Sequence, residues 1–360
     1  MNGFLRTLIA ITIITSIAPV SAADTWQYPV YDIQPFRVNA TTQVPMPEET
    51  PFVSSAPGSF DKYKMCLLMP QTVDSIFVAY IYAAIDEAEK MGQAITVMDA
   101  GGYDKDTNQR AQFENCLTTG ADAILLEPIS PDGWNADIAS ARKQGVKVIN
   151  VTEPLNANVD GRVVVNFHIN GRLLGEKLKQ LHPEGTDPVE VVVLPGAAGI
   201  PFVENTVAGF REGLEGSSVK VTDVIYGGMD ANSQLKLVED LVVTRPNLDY
   251  LVGNAMAIDQ AVNVLARRGM VGEIGLMSTY LTPTLLEHLK KNRVIASSAE
   301  SSTYLKRIAI HLALRALEGE DEKQDLVPHV QLVTPENAGD PAITEANFQP
   351  KGWKPRFNVE

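Results

Sequence analysis

The residues of this chain best suited to hold a small molecule are aromatic and acidic. Phe77, Tyr103, Phe167, Tyr280 and Tyr304 each stand at the start or end of a predicted element. A methylated ammonium group donates no strong hydrogen bond and is held instead by ring faces, each worth ~0.5–2 kcal/mol depending on desolvation. Rings in these positions suit that chemistry; the plainer reading is that they are ordinary core aromatics. Glu300 adds a carboxylate that suits a cation or accepts from a hydroxyl-rich ligand, unless it is a solvated hinge residue. Glu204, near a helix start, and Asn254, just past a strand, complete the candidate ligand-binding set. If ring faces dominate, Tyr280→Phe should cost less affinity than Tyr280→Ala.

Nucleophilic and cofactor chemistry find no comparable footing. There is no G-x-S-x-G, no H-E-x-x-H and no Cys–His signature, so neither catalysis nor a cofactor is expected. Pro195-Gly196-Ala197-Ala198-Gly199 could offer backbone N–H groups to an anionic oxygen. It lacks the Lys-Ser/Thr ending of a phosphate loop, and a tight turn is the simpler reading. The five histidines show no metal-ligand spacing, and two cysteines alone cannot build a structural zinc site. Cys66 and Cys116 fit an oxidising compartment, where a pair is more often bridged than free. A bond would close a loop of about 50 residues, worth ~4 kcal/mol in the chain-entropy model. The other reading is two buried thiols that never meet.

The elements that must position these residues follow from hydrophobic patterning. Residues 1–22 carry one basic residue, a short apolar run and small residues around Ala22, the pattern of a secretory signal peptide. No other stretch reaches the roughly 20 apolar residues of a membrane span, so no membrane insertion is expected. Residues 23–62 are rich in proline and poor in periodicity, which predicts an extended arm pinned through Trp26 and Tyr31. Short apolar runs at 65–69, 95–98, 123–126, 146–149 and 163–165 then alternate with helical spacing. A second series has strands near 189–194, 219–225, 250–252, 274–277 and 294–296. Such alternation means βαβ units and parallel sheets. The predicted fold is α/β: two doubly wound, Rossmann-like lobes with a hinge and a ligand cleft between them. The first lobe is assigned 63–165 plus 300–328, and the second, with the tail, 166–299 plus 329–360. Ligands in such sheets bind beyond the carboxyl ends of the strands.

Two stretches resemble the ribose-type periplasmic binding proteins, which share their fold with the ligand domains of LacI-type repressors. They are Glu127-Pro128-Ile129-Ser130-Pro131-Asp132 and Asn170-Gly171-Arg172-Leu173-Leu174-Gly175-Glu176-Lys177-Leu178. Other stretches are similar to a branch of that family that senses trimethylamine N-oxide (TMAO). These are Ala100-Gly101-Gly102-Tyr103, Ala121 to Leu126, Leu194-Pro195-Gly196, Thr334 to Ala338 and the tail Gln349 to Pro355. The resemblance implies a non-catalytic receptor with an aromatic box, and cysteines at the positions of Cys66 and Cys116. Its partner would be the periplasmic domain of a membrane sensor histidine kinase. The chain departs from that branch at Ile76-Phe77, where the branch has Tyr-Trp, and at Phe167, where it has Trp. Glu300 stands where the branch has Asp. Glu204 and Tyr280 stand where ribose-type proteins use Arg and Asp to clamp sugar hydroxyls, which argues against a simple sugar.

The expectation is therefore a periplasmic protein that closes over TMAO or a related small molecule and signals to a two-component kinase. The alternative is the solute receptor of an ABC importer for a sugar-like ligand. A net charge of −14 repels nucleic acid. A repressor is further contradicted by the signal peptide and by the missing helix-turn-helix.

Overall fold

The computed structural model describes residues 25–33, 48–320 and 324–360; the predicted signal peptide lies outside the described residues. The chain opens with β1 (Gln27–Asp32) and β2 (Thr50–Val53). A βα series follows: β3 (Lys64–Met69), α1 (Ile76–Lys90), β4 (Ala94–Asp99), α2 (Asp106–Thr118), β5 (Ala123–Leu126), α3 (Asn135–Lys143), β6 (Lys147–Thr152) and β7 (Gly161–Val164). The second series runs α4 (Phe167–Leu181), β8 (Val189–Leu194), α5 (Pro201–Gly213), β9 (Val219–Val224), α6 (Ala231–Thr244), β10 (Tyr250–Gly253), α7 (Ala255–Arg268), β11 (Gly275–Ser278), α8 (Pro283–Lys290) and β12 (Ala296–Ala299). It closes with α9 (Ser302–Leu317), β13 (Asp325–Pro328), β14 (Gln331–Val333), α10 (Pro341–Asn347) and β15 (Asn358–Val359).

Continuous apolar runs without alternation became the interior parallel strands, as burial on both faces demands. β3, β5 and β6 lie side by side, each buried along nearly its whole length. They belong to a nine-stranded sheet ordered β15-β4-β3-β5-β6-β7-β13-β1-β2. Helices α1 and α9 cover one of its faces, and α2 and α3 cover the other. The second sheet has six strands ordered β14-β12-β11-β10-β8-β9, with α6, α7 and α8 on one face and α4 and α5 on the other. The molecule is thus two doubly wound α/β lobes.

The chain passes between the sheets after β7, after β12 and after β13. It passes once more through the tail, and here the structure corrects the sequence assignment. Residues 329–360 do not all stay with the second lobe. After α10 the chain returns to the first lobe, where β15 pairs antiparallel with the exposed edge of β4 and Trp353 packs edge-on against Tyr82 of α1. An unpaired strand edge is a ready template for a short strand, and two residues suffice to cap it. The predicted arm is corrected as well. β1 and β2 form an antiparallel pair, and β1 continues the first sheet by pairing with β13. Pro29 and Pro51 sit opposite each other within that edge hairpin, where missing ladder donors are tolerated.

Cys66 in β3 and Cys116 in α2 are joined by a disulfide, with Cα atoms 6.3 Å apart. It ties α2 to the buried face of the sheet beside Leu68, Ile124 and Trp134. Helices α4 and α5 approach closely because four glycines face one another. A Cβ on Gly171 would stand 1.9 Å from the Thr206 carbonyl oxygen, and one on Gly209 would stand 1.8 Å from that of His168. This contact brings together the N-terminal turns of the two helices, which carry Phe167, Asn170, Phe202 and Thr206.

Candidate ligand-binding site

The carboxyl ends of the strands of both sheets meet around a cavity of about 60 Å³. The first lobe contributes Asp74 after β3, Phe77 and Tyr80 from α1, Tyr103 after β4, Glu127 after β5 and Glu153 after β6. The second lobe contributes Phe167 and Asn170 from α4, Phe202 and Thr206 from α5, and Tyr280 after β11. Glu300 lines the cavity from the crossing between β12 and α9. Rings bridge the two lobes: Phe202 lies 5.4 Å from Phe167 and 5.9 Å from Tyr103, centroid to centroid. The lobes are also joined by a hydrogen bond, since the Tyr280 hydroxyl donates to Asp74 Oδ2 at 2.6 Å.

Two further tyrosines are paired with acids in the same way. Tyr80 donates to Glu300 Oε1, and Tyr103 donates to Glu153 Oε1 at 3.2 Å. Burial, reinforced by these carboxyl partners, pushes all three tyrosines well above their ordinary pKa, so they stay protonated donors. Beneath the cavity Lys306 of α9 is fully buried, with Nζ 2.5 Å from Glu127 Oε2 and 2.5 Å from Thr152 Oγ1. Its ammonium also lies 4.3 Å from the centroid of the Tyr80 ring. Burial holds the Lys306 pKa down and raises that of Glu127, each partly offset by the other's charge. Glu153 is raised well above the usual carboxylate range by burial and by the Glu127 charge. Glu300 is raised to about 7 by burial, against the hydrogen bond from Tyr80 and with the help of Glu127.

Backbone strain sits next to both of these acids. Thr152, before Glu153, and Ser301, after Glu300, each adopt φ of 58°, a left-handed conformation that costs a side-chain-bearing residue of order 1–3 kcal/mol. Ser301 is held there from three directions. Its N–H donates to Asn347 Oδ1 of α10 at 3.1 Å, its hydroxyl donates to the His329 carbonyl at 2.6 Å, and Tyr28 Oη of β1 lies 2.6 Å from the same Oγ. The crossing that presents Glu300 is therefore fixed by the hairpin, the neighbouring crossing and the tail together.

Of the sequence candidates, the structure brings Phe77, Tyr103, Phe167, Tyr280 and Glu300 to one cavity. Three others lie elsewhere. Tyr304 points away from the cavity and stacks on Tyr28 at 3.6 Å, with Trp26 edge-on to it, so it anchors the N-terminal hairpin. Asn254 is the N-cap of α7: its side chain accepts from Ala257 N and reaches the Leu194 carbonyl, so both of its polar ends serve the fold. Glu204 lies in a shallow groove beside β9, where it accepts from Gly199 N and from the Tyr226 hydroxyl. The bond from Gly199 also ties the 195–199 segment to the start of α5.

Sequence reasoning missed Asp74, Tyr80, Glu127, Glu153, Phe202, Asn170 and Lys306. Glu127 and Glu153 had a signal, for each is the first acid after a buried strand, where this kind of sheet places its ligands. Lys306 had a weaker one, as a lone cation on the apolar face of a long helix. Phe202 and Asn170 had none, because only the α4–α5 contact makes them neighbours of the cleft.

A model of the periplasmic binding protein domain matches residues 65–321, about seven-tenths of the chain. The chain belongs to the periplasmic binding protein family. This binding protein is 28% identical to the periplasmic protein TorT of Escherichia coli over 299 residues, covering 82% of this chain and 84% of TorT. An ABC transporter solute binding protein from Bradyrhizobium sp. BTAi1 with bound bis-tris superposes with a TM-score of 0.81 at 30% identity, covering 92% of this chain and 98% of that one. TorT in complex with the TorS sensor domain, in the presence of TMAO, gives a TM-score of 0.76 at 26% identity, over 82% and 99% of the two chains. Among the described residues no helix of this binding protein is long and apolar enough to cross a membrane.

Proposed function

We propose that this chain is a periplasmic receptor that closes over TMAO or a related small amine-like molecule and reports its occupancy to the periplasmic domain of a sensor histidine kinase. The observation that carries the reading is the cavity itself: small, ringed by Phe77, Tyr103, Phe167, Phe202 and Tyr280, and closed between two lobes. Closure shifts the relative position of the lobes, and a partner touching both would sense it. The similarity to TorT, solved with a kinase sensor domain, supports that partner.

A second reading, the solute receptor of an ABC importer, is favoured by the Bradyrhizobium relative. A thermal-shift screen of the mature protein against TMAO, methylamines, sulfoxides and sugars tests the ligand class. Stabilisation by the small nitrogen compounds is expected, and stabilisation by sugars alone would overturn it. Ligand-dependent co-elution with a sensor kinase's periplasmic domain supports signalling; binding to a permease assembly instead supports import.

A further inference from the structure

The wall of the cavity is unbalanced in both charge and hydrogen bonding. Asp74, Glu127, Glu153 and Glu300 line it, and no Arg, Lys or His stands among the lining residues described. The nearest cation, Lys306, is spent on Glu127 and Thr152 from behind. The hydroxyls of the three tyrosines and of Thr206 are committed as well. Tyr80, Tyr103 and Tyr280 give their protons to Glu300, Glu153 and Asp74, and Thr206 gives its own to the Phe202 carbonyl. What remains open is mostly acid oxygen, beside the amides of Gln71 and Asn170 and the Thr279 hydroxyl. One acceptor is orphaned outright: Asn170 Oδ1, on a side chain 1% exposed, lines the cavity and has no partner. A buried acceptor without a donor costs ~1–3 kcal/mol, and an unpaired buried carboxylate costs more. The acids are not disposed for a metal, since no group of three or more His, Cys, Asp or Glu among the described residues could hold one.

We propose that this pocket is built for a small protonated amine with at least one N–H, which enters as a cation and expels a proton from the Glu153–Glu300 acids. The proposal rests on the receptor reading above and sharpens its ligand. An N-oxide presents an acceptor and no N–H, so it offers no donor and no net charge to the oxygens of Asp74, Glu127, Glu153 and Glu300. An alkylammonium supplies the missing charge and the missing donor, while its methyl groups lie against Phe77, Phe167 and Tyr280. The groups facing these two acids are Tyr80 from α1, Tyr103 after β4, Glu127 after β5, Tyr280 after β11 with Asp74 behind it, and Lys306 from α9. Burial among them keeps Glu300 protonated below about pH 7. Cation uptake there must release that proton, so affinity falls as pH drops below 7 and levels off above it.

The test is calorimetry on the purified mature protein with three probes of similar size: trimethylammonium, tetramethylammonium and TMAO. Trimethylammonium is expected to bind about tenfold or more tightly than either of the others, the worth of one charge-assisted hydrogen bond. At pH 6.5 its binding heat should differ between buffers of different ionisation enthalpy, which reports proton release. Glu153→Gln and Glu300→Gln, close to isosteric, should each weaken it by about tenfold or more. TMAO binding as tightly as trimethylammonium, or undiminished trimethylammonium binding in both variants, overturns the cation assignment while the receptor reading stands. Ribose binding with no response to any of the three probes overturns both.

Discussion

Single residues in this pocket do two jobs, and substitution separates them. Tyr280 presents a ring to the cavity and also joins the lobes through its hydroxyl on Asp74. Read from sequence, the ring matters most and Tyr280→Phe is the mild change. The structure gives the hydroxyl weight of its own, because Asp74 is buried and its Oδ2 takes a hydrogen bond from that hydroxyl. Tyr280→Phe strips the donor and leaves a carboxylate oxygen unsatisfied in the closed form. We expect it to weaken closure by ~1–3 kcal/mol, comparable to Tyr280→Ala, which also loses a ring face worth ~0.5–2 kcal/mol. Ligand affinity of both variants by calorimetry decides the point; Tyr280→Phe at wild-type affinity would mean that the hydroxyl is idle.

At the scale of elements, α9 is the keel of the first lobe, and the N-terminal hairpin is bound to it by a buried polar cluster. Glu87 of α1 accepts from Trp26 Nε1 at 2.9 Å, contacts His311 Nε2 at 2.8 Å and pairs with Arg307. Trp26 packs in turn against Phe52, Tyr304 and His311. Burial pushes Glu87 upward, but His311, Arg307 and Trp26 together pull it down to about 2. A carboxyl lowered on folding contributes stability above its unfolded pKa and loses it as pH falls through the folded value. Glu87→Gln should therefore cost ~2–3 kcal/mol at neutral pH. Its deficit relative to the wild type should narrow between pH 4.5 and 2, in urea titrations at stepped pH. A constant deficit across that range would mean that Glu87 acts by packing alone. The predicted arm was visible as a segment rich in proline and aromatics, yet its strands were not. Their pairing partner β13 lies some 300 residues away in sequence, and local pattern carries no record of such a partner.

For the whole molecule, the tail links the two lobes. Asn347 of α10 holds the N–H groups of Ser301 and Ser302 at the Glu300 crossing, and β15 then caps the first sheet. Removing residues 350–360 takes away β15 and Trp353 but leaves Asn347 in place. We expect a folded protein with a more open unliganded state, seen as a larger radius of gyration in solution scattering, and about tenfold weaker ligand binding, a closure penalty of ~1.4 kcal/mol. Unchanged scattering with unchanged affinity would make the tail a passive edge cap.

The sequence by itself determined the two α/β series and the interior strands, because a strand buried on both faces leaves a local apolar signature. It also determined that Phe77, Tyr103, Phe167 and Tyr280 would sit at strand and helix ends, since those ends are where apolar runs stop. Cys66 and Cys116 were legible as a pair, but the bond between them needed β3 and α2 to be packed together. Tertiary structure alone decided the rest. Tyr304, at a helix start like Phe77, turned outward because the hairpin offered Tyr28 and Trp26 to stack on. Asn254, at a strand end like Glu153, was consumed in capping α7. Position along the chain fixes which end of the sheet a side chain occupies. Whether it faces the cleft depends on which partners from distant segments compete for it, and those are set only when the lobes pack.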